Sequence, residues 1–409
     1  MKSEPIYILG GHQSDFSRNL SREGLSIFDL FAEVAQGAIE NANIDPGKIG
    51  VGHVANFEGS LYTGQSHLGG FFGHVDPALT YLPASRHEAA CASGSMAILA
   101  AMADLKAQNY DVSLVIGLEI MRSDSNQKDR LKGAGWVGNE WNDADYMWPA
   151  AFSDLIEFYQ NQVGLDRAHL AAISEKNFNN ARENPLAQSR NWSFDKTDFA
   201  SEDEGKNPTI HNHIRRLDCG QVSDGAAAII LANHQGAQSY AKAHNLSIDQ
   251  LPKIIGWGHV NAPMLFEEKL QLAHASTDLP FPHVQQTIAQ SLSRAQIQLE
   301  NIDGIELHDC FNVTEYMLLD HLGLKPYGEV WQSIESGFFE KDGTLPVNAS
   351  GGLIGLGHPV GATGVRMLFD CYKQVSAKAD GTQISDANTM MTFNIGGSTT
   401  TCASFVIQG

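Results

Sequence analysis

The sequence predicts an α/β protein built from two similar halves, and a comparison of the chain with itself supplies the main observations. The segment YILGGHQSDF, starting at Tyr7, is similar to KIIGWGHVNAP, starting at Lys253. Each copy is followed by a stretch with helical periodicity, by the letters NID and by a short strand-like run. The offset, on the order of 250 residues, is far longer than the roughly 20–50 residues of a solenoid repeat. We therefore expect a duplicated α/β domain, in which each half mixes strands with covering helices.

A second pair of matching elements follows in each half. The helical segment after Cys91 leads to DVSLVIGLEI, a continuous apolar run that suits a buried strand, and GATGVRMLFDCYKQVSA leads in the same way to NTMMTFNIGG. The predicted halves are residues 1–250 and 251–409. The first is longer because of an insert at about 121–216, whose first part is rich in aromatic residues, glycine and asparagine. We expect this insert to line a pocket, since inserts carried by a rigid α/β core often do so.

Charge, hydropathy and cysteine spacing exclude several classes of protein. The 409 residues carry a formal net charge of −20, so there is no general basic field to attract nucleic acid or an anionic membrane. No run approaches the roughly 18 apolar residues of a membrane span, and the first residues do not resemble a signal peptide. The cysteines lie at positions 91, 219, 310, 371 and 402 without CxxC spacing. This pattern predicts reduced thiols in a cytoplasmic protein, and neither a disulfide framework nor a zinc site.

Cys91 opens a helical segment, and its position has two interpretations. The free N–H groups and the positive dipole end of a helix N-terminus favour a thiolate, which would make Cys91 a nucleophile. The small residues around it, in HEAACASGSMA, also suit a structural cysteine where two elements approach closely. A nucleophile needs a base nearby, so Cys91 alone does not decide between the two interpretations.

The second half offers such a base. His358 lies in NASGGLIGLGHPVGATGVRM, a loop whose glycines at 351, 352, 355, 357, 361 and 364 allow sharp turns and close approach to a ligand. The loop also resembles a dinucleotide-binding fingerprint, but its glycine spacing differs and no apolar strand precedes it. We therefore favour a catalytic loop over a phosphate-binding loop.

Two further segments carry candidate groups. IELHDCF places His308, Asp309 and Cys310 at the end of a strand-like run, but neighbouring residues on a strand point to opposite faces, which disfavours a metal site. The last loop, TFNIGGSTTTCASF, supplies backbone N–H groups at Gly396 and Gly397. Such donors suit an oxyanion hole, although a tight turn between two strands is the simpler interpretation of this loop alone.

Together these segments resemble the thiolase family. The motif CASGSMA at Cys91, SDGAAAIIL from Ser223 and GHPVGATG from Gly357 match that family in kind and order. The HDCF block at 308–311 and the segments SEKNFNNARENPLAQSR, LGLKPYGE and LPVNASGGL are similar to its sterol-carrier-protein-type, acetyl-CoA acetyltransferase-like branch. The resemblance covers nearly the whole chain. It implies duplicated βαβαβ halves stacked as a five-layered αβαβα core, with the inserted loop domain in the first half.

The resemblance also implies a role for each matching residue. Cys91 would be the acylated nucleophile, and His358 would deprotonate it and help to hold the thioester oxygen of the substrate. His308 would complete this oxyanion hole, and the backbone N–H groups of Cys91 and Gly396 would form a second one around the acyl-enzyme carbonyl. Cys310 would move a proton on the α-carbon of the second substrate. The substrates would be coenzyme A thioesters, with no metal and no covalently bound cofactor.

One position departs from the family pattern. Most thiolases carry a second catalytic cysteine in a Cys-x-Gly motif on the last loop, where this chain reads Asn394, Ile395 and Gly396. Asparagine cannot transfer a proton at neutral pH. Either Cys310 takes over that task, as the HDCF block implies, or the carbon–carbon chemistry is lost.

The remaining expectations concern coenzyme A and protein partners. The sequence shows no clear basic cluster for the coenzyme A phosphates, and the candidate contacts are Trp136, Trp148, Arg130, Lys132 and Lys176. By resemblance the protein would form a homodimer or a homotetramer. A small accessory protein is a further candidate partner.

Three functions are compatible with these residues. The leading hypothesis is an acyl-CoA thiolase that cleaves a 3-oxoacyl-CoA, or condenses two acyl-CoAs, through an acyl-cysteine. A ketoacyl-synthase-like condensing enzyme is an alternative, but GHP followed by GATG argues against it. The other alternative, suggested by Asn394, is a thiolase-like subunit of a complex that binds acyl-CoA without making carbon–carbon bonds.

Overall fold

Strands from both halves of the chain meet in one large sheet. The computed structural model describes residues 4–122, 130–136, 139–200, 205–275 and 279–409. The strands are β1 Ile6–Gln13, β2 Val51–Ala55, β3 Ala84–His87, β4 Val112–Glu119, β5 Thr209–His211, β6 Ile214–Arg215, β7 Gly225–Ala232, β8 Lys253–Asn261, β9 Gly304–Leu307, β10 Thr389–Gly396 and β11 Thr401–Gln408. In the described residues, the sheet has the order β3-β2-β4-β7-β1-β8-β11-β10-β9, and β5 pairs with β6 separately.

The large sheet consists of two half-sheets joined at their first strands. Counted outward from the join, β1-β7-β4-β2 of the first half corresponds to β8-β11-β10-β9 of the second. The join is short and antiparallel, with Ile6 opposite Ile254 and Tyr7 opposite Lys253. This arrangement is that of a duplicated domain, as the internal similarity predicts. The predicted boundary between residues 250 and 251 precedes β8 and stays a prediction.

Helices cover the half-sheets on both faces. They are α1 Leu20–Glu23, α2 Ile27–Ala42, α3 Gly59–Thr63, α4 Phe72–Val75, α5 Ser93–Lys106, α6 Met147–Val163, α7 Arg167–Arg182, α8 Lys196–Ala200, α9 His234–Ala243, α10 Phe266–Ala275, α11 Pro282–Ala295, α12 Asn312–His321, α13 Trp331–Glu335 and α14 Thr363–Val375. Sequence sets their ends: α2 starts at a capping box, in which Ser26 and Asp29 exchange side-chain and backbone hydrogen bonds. Across the described residues, no helix has the length and apolarity needed to cross a bilayer.

The helices and half-sheets alternate in five layers. α5 and α14 form the middle layer, where Ile98 and Leu368 pack in one cluster with Ile8 of β1 and Phe405 of β11. α2 covers the outer face of the first half-sheet, and α11 and α12 cover the outer face of the second. This α–β–α–β–α order is the thiolase fold that the resemblance implies.

Strand β7 shows why the sheet residues are apolar in continuous runs. Ala228 and Ile230 face the cluster around α2, whereas Ile229 and Leu231 face the central cluster around α5 and α14. Since both faces of the strand are buried, the run GAAAIILA has no polar alternation.

The predicted insert lies between β4 and β7 and contains α6, α7, α8 and the β5–β6 hairpin. Its residues 123–129, 137–138 and 201–204 lie outside the described residues. Leu155 and Tyr159 of α6 pack in the same cluster as Tyr316 of α12. The insert therefore extends the core of the second half, and it also lines the cavity described below.

Candidate active site

Two glycines bring the middle helices into backbone contact near their N-terminal ends. α5 begins shortly after Cys91, and α14 begins shortly after His358. A Cβ atom on Gly94 would lie 2.7 Å from the backbone nitrogen of Gly364, and a Cβ atom on Gly364 would overlap the backbone of Ser95. Because neither glycine carries a side chain, the helices cross closely and the loops that precede them converge.

Cys91 meets two histidines at this crossing. Its Sγ and one ring nitrogen each of His308 and His358 all lie within 4.8 Å of one another. The two imidazole rings are nearly perpendicular, with centroids 5.5 Å apart. His308 follows β9 directly and is only 1% exposed. The first half supplies the cysteine and the second half supplies both histidines, so the site depends on the packing of the two halves.

The Cys91 thiol is protonated at neutral pH in this environment. The preceding residue, Ala90, has a φ of +51°, a left-handed conformation that residues other than glycine rarely adopt. Burial raises the pKa of the Cys91 thiol to about 12, although backbone N–H groups of Gly397 and Cys91 itself reach the sulfur and lower the pKa in part. The thiol therefore needs a base before it can act as a nucleophile.

His358 is held in its neutral form. Its backbone N–H donates to Ser223 Oγ at 2.9 Å, so the SDG motif fixes the loop. The Thr363 hydroxyl donates to the Pro359 carbonyl at 3.2 Å, and its oxygen lies 2.7 Å from His358 Nδ1. With the hydroxyl proton on the Pro359 carbonyl, Nδ1 donates to the Thr363 oxygen and Nε2 keeps its lone pair. Burial, with a smaller effect of the Arg366 charge, lowers the pKa of His358 to about 3.

Cys310 and Asn394 complete the group of polar side chains. Cys310 Sγ lies 3.7 Å from Thr314 Oγ1, and burial raises the pKa of its thiol well above the ordinary value. Asn394 Nδ2 donates to the Cys91 carbonyl at 3.2 Å and lies 3.0 Å from His308 Nδ1. Asn394, which occupies the position of the expected second cysteine, and Cys310, the candidate replacement for that cysteine, therefore both lie at the site.

A cavity of about 510 Å³ opens onto these groups, and Cys91, Cys310 and His358 form part of its wall. Most of the remaining wall is apolar. The insert contributes Leu131, Ala134, Tyr146, Trp148, Pro149, Phe152, Thr209 and Ile210. The Phe152 ring stacks on that of Phe311 at 4.4 Å between centroids. The insert lines a pocket, as the sequence predicts, and the pocket is suited to an apolar group next to the thiol.

Of the residues expected at coenzyme A, four lie in the first part of the insert. Trp148 lines the cavity, and its Nε1 donates to the Leu131 carbonyl at 2.8 Å. Arg130 and Lys132 flank Leu131 of the cavity wall in the sequence, but neither lines the cavity. The Arg130 guanidinium donates to the Leu61 carbonyl at 2.5 Å, and Lys132 Nζ donates to the Asn142 carbonyl at 3.5 Å. Trp136 follows in the same segment and is 51% exposed.

Lys176 is not brought to the cavity. Its side chain is buried, and Nζ forms an ion pair with Glu315 Oε1 at 2.6 Å and donates to the Val347 carbonyl at 3.0 Å. A lysine held in this way is not placed to meet a coenzyme A phosphate. The sequence shows the charge of Lys176, but not the buried carboxylate with which it pairs.

The glycine that faces the cavity is Gly397, one residue beyond the predicted Gly396. Gly397 lines the wall, whereas Gly396 packs so closely on the Ala89 carbonyl that no Cβ would fit there. The role predicted for the Gly396 N–H stays a prediction. Sequence analysis also missed Thr363 and the cavity-lining Cys219. Thr363 could have been identified from its position in the GHPVGATG motif, whereas Cys219 lies in no motif that predicts its place at the cavity.

Known proteins are similar to this chain over its whole length. An acetyl-CoA acetyltransferase from Methanothermobacter thermautotrophicus is 27% identical over 400 residues, which cover 97% of this chain and 98% of that protein. Sterol carrier protein 2 from Gallus gallus is 25% identical over 399 residues, which cover 96% of this chain and 69% of that protein. These relatives agree with the predicted branch of the family.

Solved structures share the fold. An Ltp2-ChsH2(DUF35) aldolase matches with a TM-score of 0.78 at 17% identity, covering 100% of this chain and 98% of the other. Human mitochondrial 3-ketoacyl-CoA thiolase in complex with CoA matches with a TM-score of 0.71 at 16% identity, covering 100% and 98%. At these identities the likeness shows the fold alone.

Two family models match the two halves of the chain. The model for the thiolase N-terminal domain matches residues 6–235, and the model for a thiolase C-terminal domain-like region matches residues 268–409. With the converging motifs and the five-layered core, these matches confirm the predicted superfamily. The chain belongs to the thiolase family.

Proposed function

We propose that the protein is an acyl-CoA thiolase that interconverts a 3-oxoacyl-CoA and CoA with two acyl-CoAs. One observation carries the proposal: Cys91 Sγ and ring nitrogens of His308 and His358 lie within 4.8 Å of one another. This cluster meets an apolar cavity that Cys310 also lines. A soft nucleophile, a neutral base and a second thiol are the groups that thioester exchange and α-proton transfer require.

The first step uses the Cys91–His358 pair. His358 Nε2 takes the thiol proton as the sulfur attacks the 3-oxo carbonyl carbon of the substrate. The new S–C bond forms, the bond between C2 and C3 breaks, and its electron pair moves onto the thioester as an enolate. Because the pKa of Cys91 is raised to about 12 and that of His358 is lowered to about 3, both are neutral before substrate binds. Proton transfer therefore accompanies attack.

The second step returns a proton to carbon. His308 and His358 hold the enolate oxygen, and Cys310 donates its thiol proton to the α-carbon. The raised pKa of Cys310 keeps this thiol protonated, which suits a proton donor. The product is acetyl-CoA, or another acyl-CoA if C2 carries a substituent, and the rest of the chain stays on Cys91 as a thioester.

The third step releases the acyl group. The thiol of CoA gives its proton to the Cys310 thiolate and attacks the acyl-Cys91 carbonyl. The S–C bond to Cys91 breaks to give the shortened acyl-CoA, and His358 returns its proton to the Cys91 sulfur. Backbone N–H groups of Cys91, Gly396 and Gly397 are the donors for the oxyanion of this step. The same steps in reverse give Claisen condensation of two acyl-CoAs.

We propose that different walls of the cavity bind different parts of the substrate. The apolar wall that includes Phe57, Phe152 and Val360 accommodates the acyl group. Arg130 and Lys132 are the candidate phosphate contacts, with Trp136 and Trp148 beside the pantetheine. Coenzyme A enters as part of the substrates, so the reaction needs no resident cofactor.

Asn394 supports a second candidate, a subunit that binds acyl-CoA without carbon–carbon chemistry. Its amide cannot transfer a proton at neutral pH, so proton transfer at the α-carbon of the substrate depends on Cys310 alone. Consumption of acetoacetyl-CoA with free CoA separates the candidates. We expect turnover by the wild type and by Cys219→Ala, which removes a cavity thiol outside the proposed steps. Cys310→Ala should lose turnover while Cys91 is still acylated by acyl-CoA. Absence of turnover in the wild type would favour the binding subunit.

We also infer that the protein assembles with copies of itself. β3 is one of the two edge strands of the sheet as described, and Ala84 and Ser85 are exposed. Such an edge offers unpaired backbone groups to another strand. Light scattering after size exclusion should give the mass of a dimer or a tetramer rather than a monomer of 44.4 kDa.

An accessory protein and a cytoplasmic location complete the proposal. The similar aldolase, Ltp2-ChsH2(DUF35), is named after two components, which motivates a search for a small partner of this chain. The five cysteines are free in the structure, consistent with a reducing compartment. Copurification with a partner, and fractionation of cells that express the chain, test these two statements.

A further inference from the structure

We propose that Asn394 is a positioning residue that holds His308 in the tautomer with its proton on Nε2, so that His308 can donate a hydrogen bond to the substrate oxygen. The inference rests on the proposed thiolase function for the identity of that oxygen. The tautomer itself is set by contacts within the protein.

Asn394 lies at the point where three parts of the site meet. It belongs to β10, just before the last loop, and its side chain is fully buried. Its Nδ2 donates to the Cys91 carbonyl at 3.2 Å and lies 3.0 Å from His308 Nδ1. Its Oδ1 accepts from the Ser95 hydroxyl at 2.8 Å. One amide thus links the start of α5, the HDCF block and the last strands.

The chemistry of these partners fixes the orientation of the amide. The Cys91 carbonyl can only accept a hydrogen bond, so the NH₂ group of Asn394 must face it. The reverse orientation would place two oxygens against each other at 3.2 Å and leave the Ser95 hydroxyl facing an NH₂ group. Gly364 is the glycine of α14 that leaves room for Oδ1, since a Cβ there would lie 2.8 Å from it.

The orientation of the amide then determines the tautomer of His308. The second proton of the NH₂ group points to His308 Nδ1, which must accept it. Burial, with smaller effects of the His358 and Arg366 charges, lowers the pKa of His308 well below its ordinary value, so the ring is neutral. A neutral imidazole that accepts at Nδ1 carries its proton on Nε2.

With the Thr363 hydroxyl donating to the Pro359 carbonyl, the two histidines are held in opposite tautomers. Thr363 leaves His358 with a lone pair on Nε2, which suits a base, whereas Asn394 leaves His308 with a proton on Nε2, which suits an oxyanion donor. A zinc ligand must offer an unprotonated nitrogen, so this tautomer of His308 also disfavours a metal ion on the three-residue cluster with Cys91.

A spectroscopic measurement tests the tautomer directly. The ring nitrogens of ¹⁵N-histidine-labelled protein distinguish protonated from bare nitrogen, and the His308 signals are assigned by their loss in His308→Asn. We expect a protonated Nε2 and a bare Nδ1 at neutral pH. A proton on Nδ1 of the wild type would overturn the proposal. This experiment needs no turnover, so it judges Asn394 even if the proposed function fails.

A double-mutant cycle separates positioning from packing. Asn394→Leu keeps the approximate shape of the side chain and removes both donors. Loss of one oxyanion donor lowers kcat by about 100-fold, and we expect such a loss for acetoacetyl-CoA thiolysis with little change in KM. In a His308→Asn background the donor is an amide without tautomers, so Asn394→Leu should cost less than about 5-fold there. An equal loss in both backgrounds would show a merely structural role and overturn the proposal.

Asn184→Leu is the matched control for disturbing a buried amide. Asn184 is 3% exposed, and its Nδ2 donates to the Ser350 carbonyl at 2.9 Å, as that of Asn394 does to Cys91. Within the described part of the chain, it forms no hydrogen bond with a histidine, so its substitution should leave the His308 signals in place. If the wild type shows no thiolysis, the proposed function fails, while the nitrogen signals still support or overturn the role of Asn394.

Discussion

Gly94→Ala perturbs the helix crossing that sets the distance between Cys91 and His358. The added Cβ would lie 2.7 Å from the Gly364 backbone nitrogen. An unstrained contact between such atoms needs roughly 3.5 Å, so α5 and α14 must separate by about 0.8 Å. No flexible side chain can give way, because the opposing atoms belong to backbone.

The expected result is a folded protein with a large loss of activity. A displacement of about 1 Å in a reacting group costs about 100-fold in rate, and we expect a loss of that size in kcat for thiolysis. Overpacking costs about 1–3 kcal/mol in the free energy of unfolding, partly offset by about 1 kcal/mol from the better helix propensity of alanine.

The assay combines thiolysis of acetoacetyl-CoA with urea unfolding. Gly70→Ala is the control, since a Cβ on Gly70 would meet no atom within 4 Å. It should leave kcat unchanged. If folded Gly94→Ala keeps a kcat within about twofold of the wild type, the helix crossing does not set the geometry of Cys91 and His358.

Three other predictions follow from single groups. Because the pKa of Cys91 is raised to about 12, the ultraviolet difference between wild type and Cys91→Ser should show no thiolate band at about pH 8; a band there contradicts it. Burial lowers the pKa of His321 to about 4, so between about pH 6.5 and pH 4 the unfolded chain binds more protons than the folded chain. The free energy of unfolding therefore decreases as the pH is lowered through this range, by up to about 1.4 kcal/mol per pH unit. His321→Gln should reduce that slope, and an unchanged slope in urea unfolding refutes it. Arg130→Ala and Lys132→Ala should each raise KM for CoA about tenfold at constant kcat, and an unchanged KM would exclude the phosphate contact.

The sequence determines most of the fold because its signals are local or repeated. GAAAIILA and DVSLVIGLEI are continuous apolar runs, and both become central strands buried on two faces. The similarity between the segments at Tyr7 and Lys253 predicts the correspondence of β1-β7-β4-β2 with β8-β11-β10-β9. Periodicity and repetition need no knowledge of distant contacts.

The site is harder to predict from the sequence, because its side chains interact with residues that are far away in the chain. Cys91, His358 and Cys310 stand in recognisable motifs, whereas Lys176 differs from a phosphate contact only through its burial against Glu315. The hydrogen bonds of Asn394 join positions about 300 residues apart in the chain. No local pattern contains that information, so the sequence identifies Asn394 only as a departure from the family motif.

Mass spectrometry of the enzyme during turnover measures the acyl-cysteine most directly. Protein mixed with an acyl-CoA in the absence of free CoA is digested at low pH, which preserves thioesters. The mechanism predicts the acyl mass on the peptide that contains Cys91, its loss when CoA is added, and its absence in Cys91→Ser. An acyl group on Cys310 or Cys219 instead, or no acyl group on an enzyme that turns over, would contradict it.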